Sequence, residues 1–415
     1  MRCRQFLSIL SFVFAFSLYP FSAHAQSVLS AAGGYTCLNK SGDAYCWGDS
    51  DNGVTEIGRP PWLRSRFPKT VVDSSGMQLH SIASIAAGAS HTCAILYATR
   101  DVFCWGSNDH GVLGNESTID SLFPVATFNE DGSGFLSGAT QISAGYDVSC
   151  ALVNKRIGCW GSNANKQIGA MADLIVGLPY FRDDPSDVVS ISAGPTGVCA
   201  VMADGHAKCW GTGFLGNGMG DRTPVPVTVL DADGVNPLAN IASMVIAQDS
   251  TCALLSDGEV VCWGDNSLGE LGTGTGIGSQ LPVHPIDIHA RNLDNVVQIV
   301  QGVGHTCALR TDGTVVCWGY NTDGQLGINS KINSLLAANV KDAIGTGILQ
   351  DVVSIAAGDV YTCALKRDGS VWCWGNNDLG QLGTGNHQSS LLPVQVNFDI
   401  VFRDGFQYPW DEFIR

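Results

Sequence analysis

The chain has 415 residues and a formal net charge of −16, long enough for two or three average domains or for one large all-β ring, so length alone leaves the fold open. A balance this acidic keeps a protein soluble and repels phosphate backbones, which argues against nucleic acid as a partner.

At the N-terminus, Arg2 and Arg4 precede an apolar stretch from Phe6 to Tyr19, and Ala23-His24-Ala25 follows with small residues at the positions a signal peptidase reads. This pattern predicts a secretory signal peptide over residues 1–25, with Gln26 the first mature residue. A membrane anchor would need roughly 20 unbroken apolar residues, and Pro20 and Ser22 interrupt this run. No later stretch is long enough to span a bilayer, and no cysteine follows the cleavage region to take a lipid. The expected location is therefore periplasmic or extracellular. Without Arg2 and Arg4 the mature chain carries −18, and without Cys3 it keeps 14 cysteines. An even number in an exported chain suggests disulfides.

From residue 26 to 398 the chain repeats itself. Cys-Trp-Gly occurs at Cys46, Cys104, Cys159, Cys209, Cys262, Cys317 and Cys373, at separations of 50 to 58 residues. A second cysteine lies 9 to 11 residues upstream of each, at Cys37, Cys93, Cys150, Cys199, Cys252, Cys307 and Cys363, with none left over. Seven copies at a near-constant period mean one repeated supersecondary unit. The last unit reads Ile355-Ala356-Ala357-Gly358, Tyr361 to Leu365, a polar turn at Lys366 to Gly369, Val371 to Gly375, Gly380-Gln381-Leu382-Gly383 and Leu392-Pro393-Val394. Short β-branched and apolar runs separated by Gly, Asn and Asp are strands with turns between them. No convincing 3.6-residue apolar stripe occurs, so four short strands per unit and little helix are expected.

The cysteine spacing can be tested by register. If Cys252 faces Cys262, Asp257 sits at the turn; pairing Cys37 with Cys46 centres the turn on Ser41-Gly42, and Cys150 with Cys159 on Asn154-Lys155. Each is plausible hairpin chemistry, and opposed strand residues are close enough to bridge. One disulfide per unit is therefore expected, against free core thiols; each closed loop would add a little under ~3 kcal/mol by chain entropy, less any strain. Zinc is disfavoured because no Cys-x-x-Cys occurs and hairpin spacing fits no usual zinc site.

These units resemble the repeats of the regulator-of-chromosome-condensation family. The resemblance rests on Ile85-Ala86-Ala87-Gly88 with His91-Thr92, on Val315 to Asn321, on Gly324-Gln325-Leu326-Gly327 and on Leu281-Pro282-Val283, and spans about residues 27 to 397. It implies an all-β, seven-bladed β-propeller of four-stranded antiparallel blades. Members of the family include nucleotide-exchange factors for small GTPases and secreted bacterial propellers that bind and inhibit another protein, such as a β-lactamase; fold does not choose between them. The fifth copy has Ala247 where others carry glycine, and the first runs irregularly from Gly48 to Glu56, so blades 1 and 5 are expected to deviate locally.

His91 and His305 invite a catalytic reading, but the same position holds Tyr35, Val148, Gly197, Ser250 and Tyr361 in other copies, which points to a structural role. The seven tryptophans that follow the second cysteines read as blade packing. Asp49-Ser50-Asp51 and Asp231-Ala232-Asp233-Gly234 lack the remaining ligands of a calcium loop. No phosphate loop, nucleophile elbow or zinc helix appears, so no catalytic residue, metal or cofactor is implied.

Two stretches stand apart. Arg59-Pro60-Pro61-Trp62-Leu63-Arg64-Ser65-Arg66 is basic and aromatic in an acidic chain; it reads either as an irregular connector or as a partner-contacting loop in which Arg59, Trp62, Arg64 and Arg66 would bind, since Trp and Arg are enriched at hot spots. The tail, residues 399–415, carries Phe402, Phe406, Tyr408, Trp410 and Phe413, too aromatic for a solvated end. The expectation is a secreted or periplasmic, monomeric, non-enzymatic propeller that recognises a protein, or a polysaccharide, through loops on one rim. Its alternatives are an exchange factor for a small GTPase and an extracellular enzyme with an unrecognised site.

Overall fold

A computed structural model describes residues 28–49, 65–169, 174–220 and 222–398. The signal-like stretch, Arg59 to Arg64 and the aromatic tail lie outside the described residues.

Seven four-stranded antiparallel sheets, each made of four consecutive strands, form the blades of a propeller. Blade 1 comprises β1 (Leu29–Ala32), β2 (Tyr35–Lys40), β3 (Asp43–Gly48) and β4 (Ser65–Thr70). Blade 2 comprises β5 (Ile82–Ala87), β6 (His91–Leu96), β7 (Val102–Gly106) and β8 (Ser121–Ala126). Blades 3 to 7 repeat the plan over residues 139–181, 188–228, 241–283, 296–339 and 352–395. The first strands of successive blades adjoin one another around the axis.

The hairpin between second and third strands is where sequence spacing becomes geometry. Cys37 opposes Cys46, and the two-residue turn Ser41-Gly42 has φ of 58° and 93°; Cys150 opposes Cys159, and Asn154-Lys155 has φ of 50° and 64°. Both residues left-handed is the type I′ turn, whose twist matches that of the strands. A separation of 10, as at Cys252 and Cys262, inserts a three-residue loop that ends on Gly258 at φ 87°. All seven pairs form disulfides with Cα–Cα distances of 4.0 to 4.2 Å.

The tryptophans lock blade to blade. All seven are 0 to 1% exposed. Trp374 Nε1 donates to the Gln325 carbonyl of the preceding blade at 2.8 Å, and Trp47, Trp160, Trp210, Trp263 and Trp318 repeat the bond at 2.7 to 2.9 Å. The glycine after each tryptophan is obligatory: at Gly319, φ is 98° and a Cβ would lie 2.4 Å from the Gly304 carbonyl oxygen.

Ring closure is by packing. The first and last strands do not share a sheet: β1 belongs to blade 1 and Ser390–Gln395 to blade 7. Leu29, Leu38 and Trp47 join Tyr361, Val371 and Val396 in one core cluster across the seam. Phe398, beyond the last strand, lies edge-on to Tyr45 and Trp47 at 6.1 and 6.0 Å between ring centroids.

The fifth blade does not deviate at Ala247. Its N–H donates to the Ser250 carbonyl at 2.9 Å, just as Gly302 donates to His305 and Gly358 to Tyr361. A Cβ at Gly302 would meet the Gly358 carbonyl oxygen of the next blade at 2.1 Å and His305 Cε1 at 2.3 Å; blade 5 has a small serine in place of that histidine. The irregular part of blade 1 lies outside the described residues.

Candidate functional site: the axial-loop face

Antiparallel blades put the loops between first and second strands, and those between third and fourth, on the same end of the ring. The first set crowds the axis; the second surrounds it. On this axial-loop face blade 5 brings Asp249, Asp265 and Glu270 together. The other end carries the hairpin turns and the connections from one blade to the next.

The outer loops on the axial face are built on a buried asparagine that the sequence reading did not single out. Asn321 is 0% exposed. Its Nδ2 donates to the carbonyls of Ser330 and Ile332, both at 2.9 Å, while its Oδ1 accepts the Leu326 N–H at 3.0 Å. Asn108, Asn266 and Asn377 make the same three bonds. One amide thus organises a loop of about a dozen residues with every donor and acceptor used. Blade 4 has Gly213 and blade 1 Ser50 at this place, whereas blade 5 keeps the asparagine. The signal was the recurrence of Asn two residues after Trp-Gly.

The histidines are closed to solvent. His305 Nε2 meets Thr362 Oγ1 of the next blade at 3.0 Å, and Thr362 donates its single proton to the Gln325 carbonyl at 2.9 Å. The hydroxyl can then only accept, so Nε2 carries the imidazole proton. His91 repeats the arrangement with Ser149 at 2.8 Å, which donates to the Val112 carbonyl at 2.9 Å. Burial without a charged partner pushes both imidazoles down to about 4, so they are neutral ties between blades.

Two axial loops meet across the ring. Tyr146 of blade 3 donates from Oη to Asp359 of blade 7 at 3.1 Å; these blades are nearly opposite, so the bond bridges the axis. Burial raises the Asp359 carboxyl, and burial followed by the charge of Asp359 raises the Tyr146 phenol. In blade 5, Asp249, Asp265 and Glu270 lie close enough to interact. Burial is the main cause that raises Glu270 and Asp249, and neighbouring carboxylates add to it. Among the described residues no Lys or Arg forms an ion pair with Asp249, Asp265, Glu270 or Asp359. No three His, Cys, Asp or Glu of the described residues gather closely enough to hold a metal.

Of the basic-aromatic stretch, Arg66 alone is described. It is half-buried in β4, and its carbonyl accepts the Gly385 N–H of blade 7 at 3.0 Å, so it also serves the seam. Arg59, Trp62 and Arg64 lie between Asp49, which follows β3, and Ser65, which opens β4; the structure does not bring them to the acids or away from them. Asp231 and Asp233 sit on the opposite end, where each carboxylate caps nearby backbone N–H groups of its own turn.

Seven four-stranded blades with one disulfide apiece and tryptophan bonds between them define a disulfide-bonded repeat propeller. It is a protein of regulator of chromosome condensation (RCC1) repeats: models of that repeat match residues 82–112, 248–270, 296–325 and 352–381, and residues 101–152, 312–365 and 368–402. The Ultraviolet-B receptor UVR8 of Arabidopsis thaliana is 28% identical over 376 residues, 88% of this chain and 80% of the receptor. The mouse E3 ubiquitin-protein ligase HERC2 is 29% identical over 256 residues, but the match spans 5% of that protein. Human WBSCR16 superposes with a TM-score of 0.71 at 20% identity, over 86% of this chain and 94% of that one; yeast RCC1 (Prp20), in a complex with Kap60, gives 0.70 at 20% over 96% and 92%. Those likenesses show the fold.

Proposed function

We propose that the protein is an exported, non-enzymatic binding propeller that takes a protein partner on its axial-loop face. One contrast carries the reading. The polar groups of the blade interior are spent on holding the ring, while Asp249 and Asp265 stand on the axial-loop face beside the buried Glu270, with Asp359 half-buried across the ring, and none of the four has a Lys or Arg partner among the described residues. A surface of that kind favours a partner of complementary charge, with steering as its first effect. The stretch containing Arg59, Trp62, Arg64 and Arg66 belongs to a third-to-fourth-strand connection, and so supplies hot-spot residue types to the same set of loops. Export follows from the signal pattern and from 14 cysteines that an oxidising compartment would keep paired.

The test uses the full mature chain as bait against the envelope and medium of the producing organism, with captured proteins identified by mass spectrometry. Replacing Trp62 and Arg64 together by Ala, or Asp249 and Asp265 by their amides, should weaken capture of that partner at least tenfold. Unchanged affinity in both variants would overturn the assignment to this face. A polysaccharide ligand would appear as binding to purified envelope glycans instead. The family resemblance also implies nucleotide exchange; accelerated release of guanine nucleotide from any of a panel of small GTPases would replace the binding reading. N-terminal sequencing that fails to find Gln26 would overturn cleavage at Ala25.

A further inference from the structure

The end opposite the axial loops carries a groove of about 560 Å³ between blades 2 and 3, lined by Phe135, Leu136, Val153 and Phe181 together with Arg156, Glu130 and Asp131. Phe135 is 57% exposed and stacks on Phe128 at 6.3 Å, and the Arg156 guanidinium lies 5.5 Å over the Phe181 ring. A second groove on this end, about 280 Å³ between blades 5 and 6, is lined instead by Asp287, Arg291, Asp294, Arg310 and Asp312. Of the two, the first carries the aromatic side chains.

The chain supplies an occupant for the aromatic groove. The last described residue, Phe398, has crossed the seam onto blade 1, where the Lys40 ammonium lies 4.8 Å over its ring. Lys40 precedes the Ser41-Gly42 hairpin turn, so Phe398 lies on the same end as the groove, on the blade next to blade 2. Seventeen residues remain, with Phe406, Tyr408, Trp410 and Phe413 from the eighth onward. Packed sheets lie ~10 Å apart, so the groove is about 20 Å from Phe398, and the seven residues before Phe406 cover about that distance when extended.

We propose that the C-terminal segment wraps from blade 1 across blade 2 and seats its aromatic residues, Phe406 to Phe413, in the groove between blades 2 and 3. The segment is a strap: it ties the open seam to the third blade and covers apolar surface that would otherwise face water. The axial-loop face is left free.

Hydrogen–deuterium exchange on the full mature chain tests the proposal. Amides of residues 402–413 should exchange at least tenfold more slowly than in a synthetic peptide of residues 399–415. Phe135→Asp, at an exposed position, should return them to the peptide's rate with the melting temperature of the ring intact. Peptide-like exchange in the unaltered chain overturns the proposal, and so does protection that survives Phe135→Asp. Protection that rises with protein concentration would assign the groove to a second copy, and protection seen only with an added partner would assign it to that partner; either outcome also overturns it.

Discussion

Two arcs of this ring are held differently. From blade 6 through 7, 1 and 2 to blade 3, each second strand opens on a long polar side chain that reaches a hydroxyl of the next blade: His305 to Thr362, Tyr361 to Thr36, Tyr35 to Thr92 and His91 to Ser149, at 2.8 to 3.0 Å. Blades 3, 4 and 5 place Val148, Gly197 and Ser250 there. Yet the disulfides recur in both arcs, and so do the tryptophan bonds. The difference teaches that the repeat has a constant lock and a variable one, and that the variable lock is richest around the seam, where no covalent connection joins the blades. The plain arc is also where the fifth blade gathers its three carboxylates.

Breaking the seam should have the largest effect. Tyr361 is fully buried between blades 7 and 1 and donates to the Tyr35 carbonyl as well as pairing with Thr36. Tyr361→Ala removes a large buried aromatic and strands Thr36, for an expected loss of about 3–5 kcal/mol. Val148→Ala, at the same position of the plain arc, should cost about 1–2 kcal/mol. Denaturant unfolding of both variants checks the contrast, and equal losses would mean that the arcs do not differ in strength.

Acid should weaken the knitted arc through its two buried histidines. Both histidine pKa values fall to about 4 in the folded chain, from ~6.5 when unfolded, so below pH 6.5 the unfolded state binds the extra protons. The stabilisation is full above 6.5 and declines as the pH falls toward 4, by roughly 3 kcal/mol per histidine. The burial-raised carboxyls of Asp359 and Glu270 work with the opposite sign, so the readout must be a difference. His91→Val with His305→Val should lose less stability between pH 7 and pH 4.5 than the unaltered chain. An identical slope would contradict neutral, buried imidazoles.

The constant lock should fail equally anywhere. Trp374→Phe in the knitted arc and Trp263→Phe in the plain arc each leave a loop carbonyl short of one donor, at about 1–3 kcal/mol. Melting curves should show the same shift for both. A larger shift at Trp263 would indicate that the plain arc depends on this bond more heavily.

How much of this was legible beforehand varies with the range of the interaction. The hairpins were readable to the residue, because a cysteine separation of 9, 10 or 11 sets the loop at two, three or four residues, as at Ser41-Gly42 and Ser256 to Gly258. The structural role of His91 and His305 was readable from the variety at their position. Their partners were not, since Ser149 and Thr362 lie 58 and 57 residues away, and a repeat pattern says nothing about which side chain reaches over a blade boundary. The Gln298 amide, which exchanges two hydrogen bonds of 2.9 Å with the Ile355 backbone of the next blade, was hidden for the same reason. The axial acids come from three separate loops, so only the closed ring assembles them.

The smallest effect tests why Ala247 was misread as a sign of distortion. Residue 250 is serine, so Ala247 faces no imidazole at that position; in blade 6 the same Cβ would meet both the Gly358 carbonyl oxygen at 2.1 Å and His305 Cε1 at 2.3 Å. Gly302→Ala should therefore cost about 1–3 kcal/mol through overpacking, and His305→Ser in the same chain should recover part of that loss, the carbonyl contact keeping the rest. Ala247→Gly removes no clash and gains none. It changes stability only by loosening the unfolded chain, by about 0.4–1 kcal/mol. If Gly302→Ala proves as mild as Ala247→Gly, the side chain three residues on is not what decides between glycine and alanine, and the two arcs share one loop geometry for a reason other than room.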